Sequence, residues 1–582
     1  MAQSLDALLN KLEAAKNSFG RAAAAAAVRV LDQLSVATFR DVKSLIRFHE
    51  TLLFLRAFPQ SASVVSRTEK LLDSFQERME KIRALGADMS DFDDFDTSGI
   101  AGAIMQDTLS FEAARWLVRR IPRSVEIAWN DYEEERAMAN AWPRFIPLLS
   151  EDADVEANIP WRRWLDAARG GEHDLPWLIR QFEQLSLGET AAESNRARIE
   201  LYDSLRIPIR WSLDNLKLSR TRNWKRPRKF YFHSEPLISR KDVCLAQEFG
   251  RTAPRLKRVS QHDGEAVMGM IREVMVVRYR ELYGTTLGDA RSVVRADVGR
   301  GVVIYLWNLP PNRRLPLRAY VAGVTLKNGV PINYIEAIGL CEWIEIGFNT
   351  FYTYRRGETA WIYAQVLRCL CALTGATAIS VYPYQIGQNN DEALDSGAFW
   401  FYRKLGFRSG DRALEELARR EERKMLANPE HRTSRKTLRR LAEAHVFYEL
   451  GRENNAENEI VSGPWDKFST RNLGLRVNRR MSREFGGEAA RMREASVENI
   501  SRSLNVDVRG WSEAERRSLE NWSLILGLIP RLAGWTSEEK QELVRIIRSQ
   551  SGGDEMEYLR NTQRHARLRA ELLRLGSRVF PS

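Results

Sequence analysis

The residues with most chemical promise lie between positions 336 and 402 of a 582-residue chain. Arg355, Arg356 and Gly357 stand directly before a helical pattern that begins at Glu358. The unpaired amides of a helix N-terminus favour an anion, and two arginines would add charge-assisted hydrogen bonds. Glu358 would oppose an anion there if it pointed inward. The alternative is an ordinary basic turn before a core helix. Glu336 sits in the otherwise apolar Tyr334-Ile-Glu-Ala-Ile338. A carboxyl enclosed by apolar neighbours has a raised pKa, which suits a base near pH 7. The alternative is a strand glutamate that faces solvent or pairs with an arginine. Glu345 and Glu342 compete with it.

Other chemistries find no support. The chain has no Gly-x-Ser-x-Gly, no Gly-x-x-x-x-Gly-Lys-Ser/Thr and no Gly-x-Gly-x-x-Gly. Its histidines are scattered singly, so a metal site is not expected. Asp91, Asp93 and Asp96 resemble the start of a calcium loop, but Asp96 and Gly102 stand where glycine and glutamate are needed. Four cysteines, at 244, 341, 369 and 371, read as reduced thiols of a cytoplasmic protein. Hydrophobic residues make up 44% and charged residues 29%, which excludes disordered and collagen-like classes for the chain as a whole. The apolar runs at 22–28 and 522–530 are far short of a membrane span. The first of them follows Asp6, Lys11, Glu13 and Lys16, so no secretory signal is expected.

The formal net charge is +12, and it is concentrated. Residues 206–258 hold fifteen lysines and arginines against four acids. The densest part, 217–229, contains no acid, and Trp224, Phe230, Tyr231 and Phe232 interleave with it or follow it. Such a stretch suits a linker that pairs with acidic surface, a site for anions of a cofactor or substrate, or nucleic acid. Acidic partners are available at 88–96 and 131–135. Internal pairing is the first expectation and nucleic acid the least favoured.

Hydrophobic periodicity sets the elements that must position these groups. Residues 1–215 read as a helical region and 216–257 as a basic linker. An amphipathic helix over 264–282 opens the next part. Strands are predicted at 301–306, 317–326, 330–340 and 343–354, with Asn328-Gly329 as a hairpin turn. A helix over 358–373, a strand over 376–384 and a short helix over 398–405 follow. Residues 413–582 read as helical again, with capping boxes at Ser512/Glu515 and Thr536/Glu539. The fold class is α+β: a central mixed β-sheet domain over 258–412, flanked by mainly helical regions.

The order of strands, basic glycine-containing loop, helix, strand and short aromatic helix resembles the GNAT superfamily of acyl-CoA-dependent N-acyltransferases. Ala398-Phe-Trp-Phe-Tyr402-Arg-Lys-Leu405-Gly406-Phe407 is similar to that family's late helix, Ala-x-x-φ-Tyr-x-x-Leu-Gly-Phe. The segment from Arg355 to Ala360 is similar to its cofactor loop, with Glu358 where the family has glycine. The resemblance implies that an amine attacks the thioester of an acyl-CoA directly in a ternary complex, with acetyl-CoA the first expectation and no metal needed. It implies that Tyr402 protonates the departing thiolate. A strand carboxylate would take the amine's proton: Glu336 first, then Glu345 or Glu342. Arg355, Arg356, Gly357, Thr359 and Ala360 would hold the cofactor, with Asp395 where the family often has asparagine, or Asn389 or Asn390 in its stead. Catalysis in such a fold requires splayed central strands and an open cleft beside Arg355, Gly357 and Tyr402. A filled cleft would fit a catalytically degenerate GNAT-fold binding or assembly module. The acceptor amine is not specified, no membrane partner is expected, and the helical regions are expected to gate substrate or contact a protein.

Overall fold

Leucines spaced by three and four residues close the first helices of the chain against one another. In the computed structural model, Leu5–Ala15 buries Leu12 completely, Arg21–Ser35 Leu31, Val42–Ala57 Leu45 and Leu52, and Ala62–Asp73 Val64. Ser4, Asp41 and Ser61 cap three of them through side-chain oxygens. The structure describes residues 4–146, 148, 151, 161–188, 191–214, 217–451 and 463–577, without the side chains of 191 and 192. Two compact units result. The first comprises Met1–Pro236, Ala266–Leu287 and Asn328–Pro331; the second comprises Leu237–Glu265, Gly288–Lys327 and Ile332–Ser582.

The first unit is not purely helical. Three short strands, β1 (Ile104–Thr108), β2 (Val125–Ile127) and β3 (Pro208–Ser212), form an antiparallel sheet in the order β1-β3-β2. Periodicity over 1–215 missed them because each has five residues or fewer. The basic stretch also differs from a linker. Arg220 is buried, with Nη2 2.6 Å from Glu50 Oε1 and Nη1 donating to the carbonyls of Asp96 and Ser98. His49 lies beside this pair, donor or acceptor to Thr221 Oγ1 at 2.9 Å, and burial pulls its pKa down to about 4. Arg222 donates to the Asp73 carbonyl. Internal pairing was therefore the right expectation for Arg220, but its carboxylate partner is Glu50, outside both acidic runs.

Among the described residues the large sheet has nine strands, which belong to the second unit apart from the first two residues of β8: β4 (Lys257–Arg258), β5 (Val294–Gly299), β6 (Val302–Asn308), β7 (Ala319–Lys327), β8 (Val330–Leu340), β9 (Trp343–Thr350), β10 (Ala378–Val381), β11 (Arg408–Ser409) and β12 (Val446–Glu449). Their order is β11-β12-β10-β9-β8-β7-β6-β5-β4. From β4 to β7 each strand pairs antiparallel with the next, as do β8 and β9. Asn328 and Gly329 adopt φ of +47° and +81°, the left-handed values that a two-residue hairpin turn demands. β9 and β10 are parallel, joined by the crossover helix Thr359–Thr374. β12 lies beyond position 412, where a domain end was expected. Two helices, Arg412–Ala427 and Arg435–Leu441, separate it from β11, so no hairpin signal marks it.

Six C-terminal helices run from Thr470 to Gly576, and both expected capping boxes are present. Among the described residues no helix is long and apolar enough to cross a membrane.

Glu555, at the start of helix Glu555–Arg564, accepts the Tyr320 amide at 3.1 Å and lies 3.8 Å from Arg314. Burial raises its pKa to about 7. The folded state therefore keeps a proton that the unfolded chain sheds near pH 4.5. Between those values stability falls as pH rises. Glu555→Gln should remove this slope, gaining about 1–3 kcal/mol on wild type between pH 5 and pH 8. Urea unfolding of both proteins at the two pH values checks it; parallel curves would refute it.

Candidate functional site

The parallel ladder between β9 and β10 is short. Residues 343–346 pair with 378–381, and there the pairing stops, while β9 runs on to Thr350. The reason is Pro383, which has no amide hydrogen to continue a ladder. The chain turns instead into a helical turn, Pro383–Ile386, so the strand expected over 376–384 ends at Val381. Beyond the end of β10, β9 runs on without this neighbour, and a cavity of about 380 Å³ opens beside its last residues. That volume is within the range of small-molecule sites.

One wall of the cavity is β9, through Phe348, Asn349 and Thr350. A second is the approach to the crossover helix: Arg355, Gly357, Thr359 and Ala360. The helix begins at Thr359, and its first amides have no intrahelical acceptor. The third wall runs from Gln385 through Asn390, Glu392 and Ser396 to Tyr402. Asn390 is spent as a cap: its Oδ1 accepts the Ala393 amide and its Nδ2 donates to the Tyr384 carbonyl. Ile238 and Arg240 complete the lining.

Tyr402 is placed by the short helix Ala398–Lys404, where Phe399 and Tyr402 share the buried side. Arg403 pins this helix through Glu415 at 2.6 Å and Glu422 at 2.8 Å. Gly406 then takes φ +104°, a region that side chains avoid, and the Phe407 amide returns to the Tyr402 carbonyl. Phe407 and Tyr363 pack edge-on to the Tyr402 ring at 5.7 and 5.6 Å. The Tyr402 hydroxyl has no hydrogen-bond partner among the described residues, and burial raises its pKa.

The glutamate singled out for its sign faces away from this cavity. Glu358 is completely buried, and it accepts from Arg300, from the Ile238 amide at 3.2 Å and from Lys327 Nζ at 3.2 Å. Its charge is used inside the core, so it does not repel an anion at the helix start. Arg355 does have an acidic partner: its guanidinium pairs with Glu392, both half-exposed, and donates to the Thr350 carbonyl.

Of the residues named from sequence, the cavity brings together Arg355, Gly357, Thr359, Ala360, Asn390 and Tyr402. Arg356 and Asn389 are exposed and outside the lining, and Asp395 is exposed and pairs with Arg435 at 3.5 Å. Glu336 and Glu345 do not line it either. Glu336 accepts from the Tyr320 hydroxyl, and burial raises its pKa. Glu345 lies one residue before the last parallel pair, with His445 Nε2 at 2.8 Å and Arg318 at 3.4 Å. Glu342 is bound to Arg569 and Trp465, and these contacts hold its pKa down against the effect of burial. Sequence reasoning missed Arg240, Glu392 and His445. None of the three stands in a motif, and each is brought in by topology alone.

Among the described residues no three His, Cys, Asp or Glu side chains group to hold a metal ion. No protein-family model, curated protein or solved structure matches the chain.

Proposed function

We propose that the second unit is an acyl-CoA-dependent N-acyltransferase of the GNAT type. The observation that carries this reading is the cleft along the end of β9, past the last residue of β10, left open beside Arg355, Gly357 and Tyr402. An open cleft there is what direct acyl transfer needs and what a filled binding module would lack. The acyl-CoA phosphates would meet the first amides of helix Thr359–Thr374 together with Arg355 and Arg240. The acyl thioester would lie toward Tyr402. An acceptor amine attacks the thioester carbonyl, the C–S bond breaks, and Tyr402 donates its proton to the departing thiolate. The Glu345–His445 pair lies outside the cavity lining, near the end of β10, so the proton lost by the amine would reach it through water. Glu336, engaged by Tyr320, takes second place as base.

Isothermal titration with acetyl-CoA tests the reading. Wild type should bind, and Arg355→Ala/Arg356→Ala should bind about tenfold or more weakly through loss of charge-assisted bonds. Glu392→Gln should release Arg355 from its ion pair and tighten binding about two- to fivefold. Folded wild type that binds no acyl-CoA would refute the enzyme and leave the degenerate binding module.

A further inference from the structure

The structure divides the basic stretch into two parts with different fates. Arg220 and Arg222 are absorbed by the first unit, as described. Lys225, Arg226, Arg228 and Lys229 are all exposed, and among the described residues no ion pair or side-chain hydrogen bond engages them. Four cations in five positions, left without counter-charge, repel one another, and the fold gains nothing from them.

The backbone that carries these cations is held firmly, without helix or strand. The Lys225 amide donates to the Gly329 carbonyl at 2.9 Å. Asn328 clamps Tyr231 from both sides: its Oδ1 accepts the Tyr231 amide and its Nδ2 donates to the Tyr231 carbonyl. The His233 amide donates to the Pro59 carbonyl at 2.8 Å. Contact with the Gly329 turn is so close that a Cβ there would sit 1.8 Å from the Lys225 carbonyl oxygen. Tyr231 and His233 meet edge-on at 4.9 Å, with His233 buried.

Between these inward residues, Phe230 and Phe232 stack on each other, 5.9 Å between centroids and 12° between planes. Phe232 is 39% exposed, one of the few large apolar side chains left in water. Trp224 extends the aromatic row from Phe230 at 6.1 Å and lies under the Arg56 guanidinium. Parallel aromatic faces beside a row of cations match bases and phosphates at once. An acidic protein surface would use the cations but not the rings. A duplex would hide its base faces.

We infer that the segment from Trp224 to Phe232 is a docking strap for single-stranded nucleic acid, with phosphates on Lys225, Arg226, Arg228 and Lys229 and bases on Phe230 and Phe232. Its ordering cost is met in the free protein by the backbone bonds to Asn328, Gly329 and Pro59. The inference is independent of acyl transfer.

Fluorescence anisotropy of the full chain tests it, with a labelled 20-nucleotide single-stranded RNA, the DNA of the same sequence and the corresponding DNA duplex. Single strands should bind more tightly than duplex, with a log–log salt slope of about −3 for four phosphate contacts. Replacing all four cations by serine should bring the slope near zero. Phe232→Ala should weaken binding about tenfold and leave the slope unchanged, and adding Phe230→Ala should weaken it about tenfold more. The tighter of the two single strands identifies the sugar preferred. Equal binding of duplex and single strand, or insensitivity to the phenylalanine changes in variants that keep the wild-type melting temperature, would overturn the inference. So would binding confined to vesicles of phosphatidylserine and phosphatidylcholine, assayed in parallel by sedimentation. Phe232→Ala alone carries the test if the double variant unfolds.

Discussion

Glu358→Gln should cost about 3–5 kcal/mol of stability, lowering the melting temperature by roughly 5–15 °C. The Lys327 ammonium and the Glu358 carboxylate are both 0% exposed. Burial already pulls the Lys327 pKa down to about 8, and Glu358 is what opposes that pull. Without the carboxylate, Lys327 retains the Arg300 carbonyl at 2.6 Å but loses the buried negative charge beside it. The lysine must then stay charged without that counter-ion or give up its proton. The pH dependence separates this from simple loss of packing. In the variant the folded-state pKa of Lys327 falls below 8, while the unfolded value stays at 10.5. The unfolded chain then binds more protons across that window, so stability rises with pH. Wild type, with its own Lys327 pKa of about 8, shares that rise above pH 8, so the deficit should shrink as pH rises to about 8 and stay level beyond it. Lys327→Met added to Glu358→Gln should recover part of the loss, because a buried ion pair is often replaceable by apolar groups of similar size. Calorimetry across this pH range checks both points. A deficit below about 1 kcal/mol, or one constant with pH up to about 8, would refute the argument.

That outcome bears on what the residues alone could disclose. β8 begins and ends where the apolar run from Val330 to Leu340 does, because most of the strand is buried. Asn328-Gly329 marked its turn because few residue pairs accept two positive φ angles. The crossover helix was displaced by one residue, since Glu358 caps its start without a helical φ/ψ pair of its own. Pro383 was a readable end to β10, for a proline has no amide hydrogen to donate to a ladder. Less accessible were features that depend on distant parts of the chain. Nothing near Glu358 tells that Lys327 and Arg300 wait for it in the core, so its sign looked unfavourable to an anion when its direction was what mattered. His445 reaches Glu345 across a sequence separation of 100 residues, through a four-residue strand that periodicity cannot see. Arg220 found Glu50, at a separation of 170, over the nearer acidic runs. Local pattern fixes elements; long-range pairing of charges is decided by packing.

Tyr402→Phe should lower turnover by about 10²–10⁴-fold while changing acyl-CoA affinity less than about threefold. The two readouts separate because, in the proposed reaction, the hydroxyl would donate only when the thiolate departs, whereas the ring lines the cavity in either residue. Phenylalanine keeps the edge-on contacts with Tyr363 and Phe407, so the short helix and the Phe407 turn need not move. The hydroxyl has no partner among the described residues, so its removal leaves no orphaned group behind it. Burial raises the Tyr402 pKa above that of a free tyrosine, so the residue holds its proton at any pH where the fold survives. The wild-type rate should therefore show no basic limb from Tyr402. A rising limb at lower pH would belong to the base, and Glu345→Gln should abolish or shift it while leaving the Tyr402→Phe defect in place. Steady-state kinetics with acetyl-CoA and a panel of amines, beside titration calorimetry, gives turnover and affinity on the same protein. Unchanged turnover in the phenylalanine variant would remove Tyr402 from the proton path and leave thiolate departure to solvent. Loss of both affinity and turnover would assign the hydroxyl to substrate binding instead.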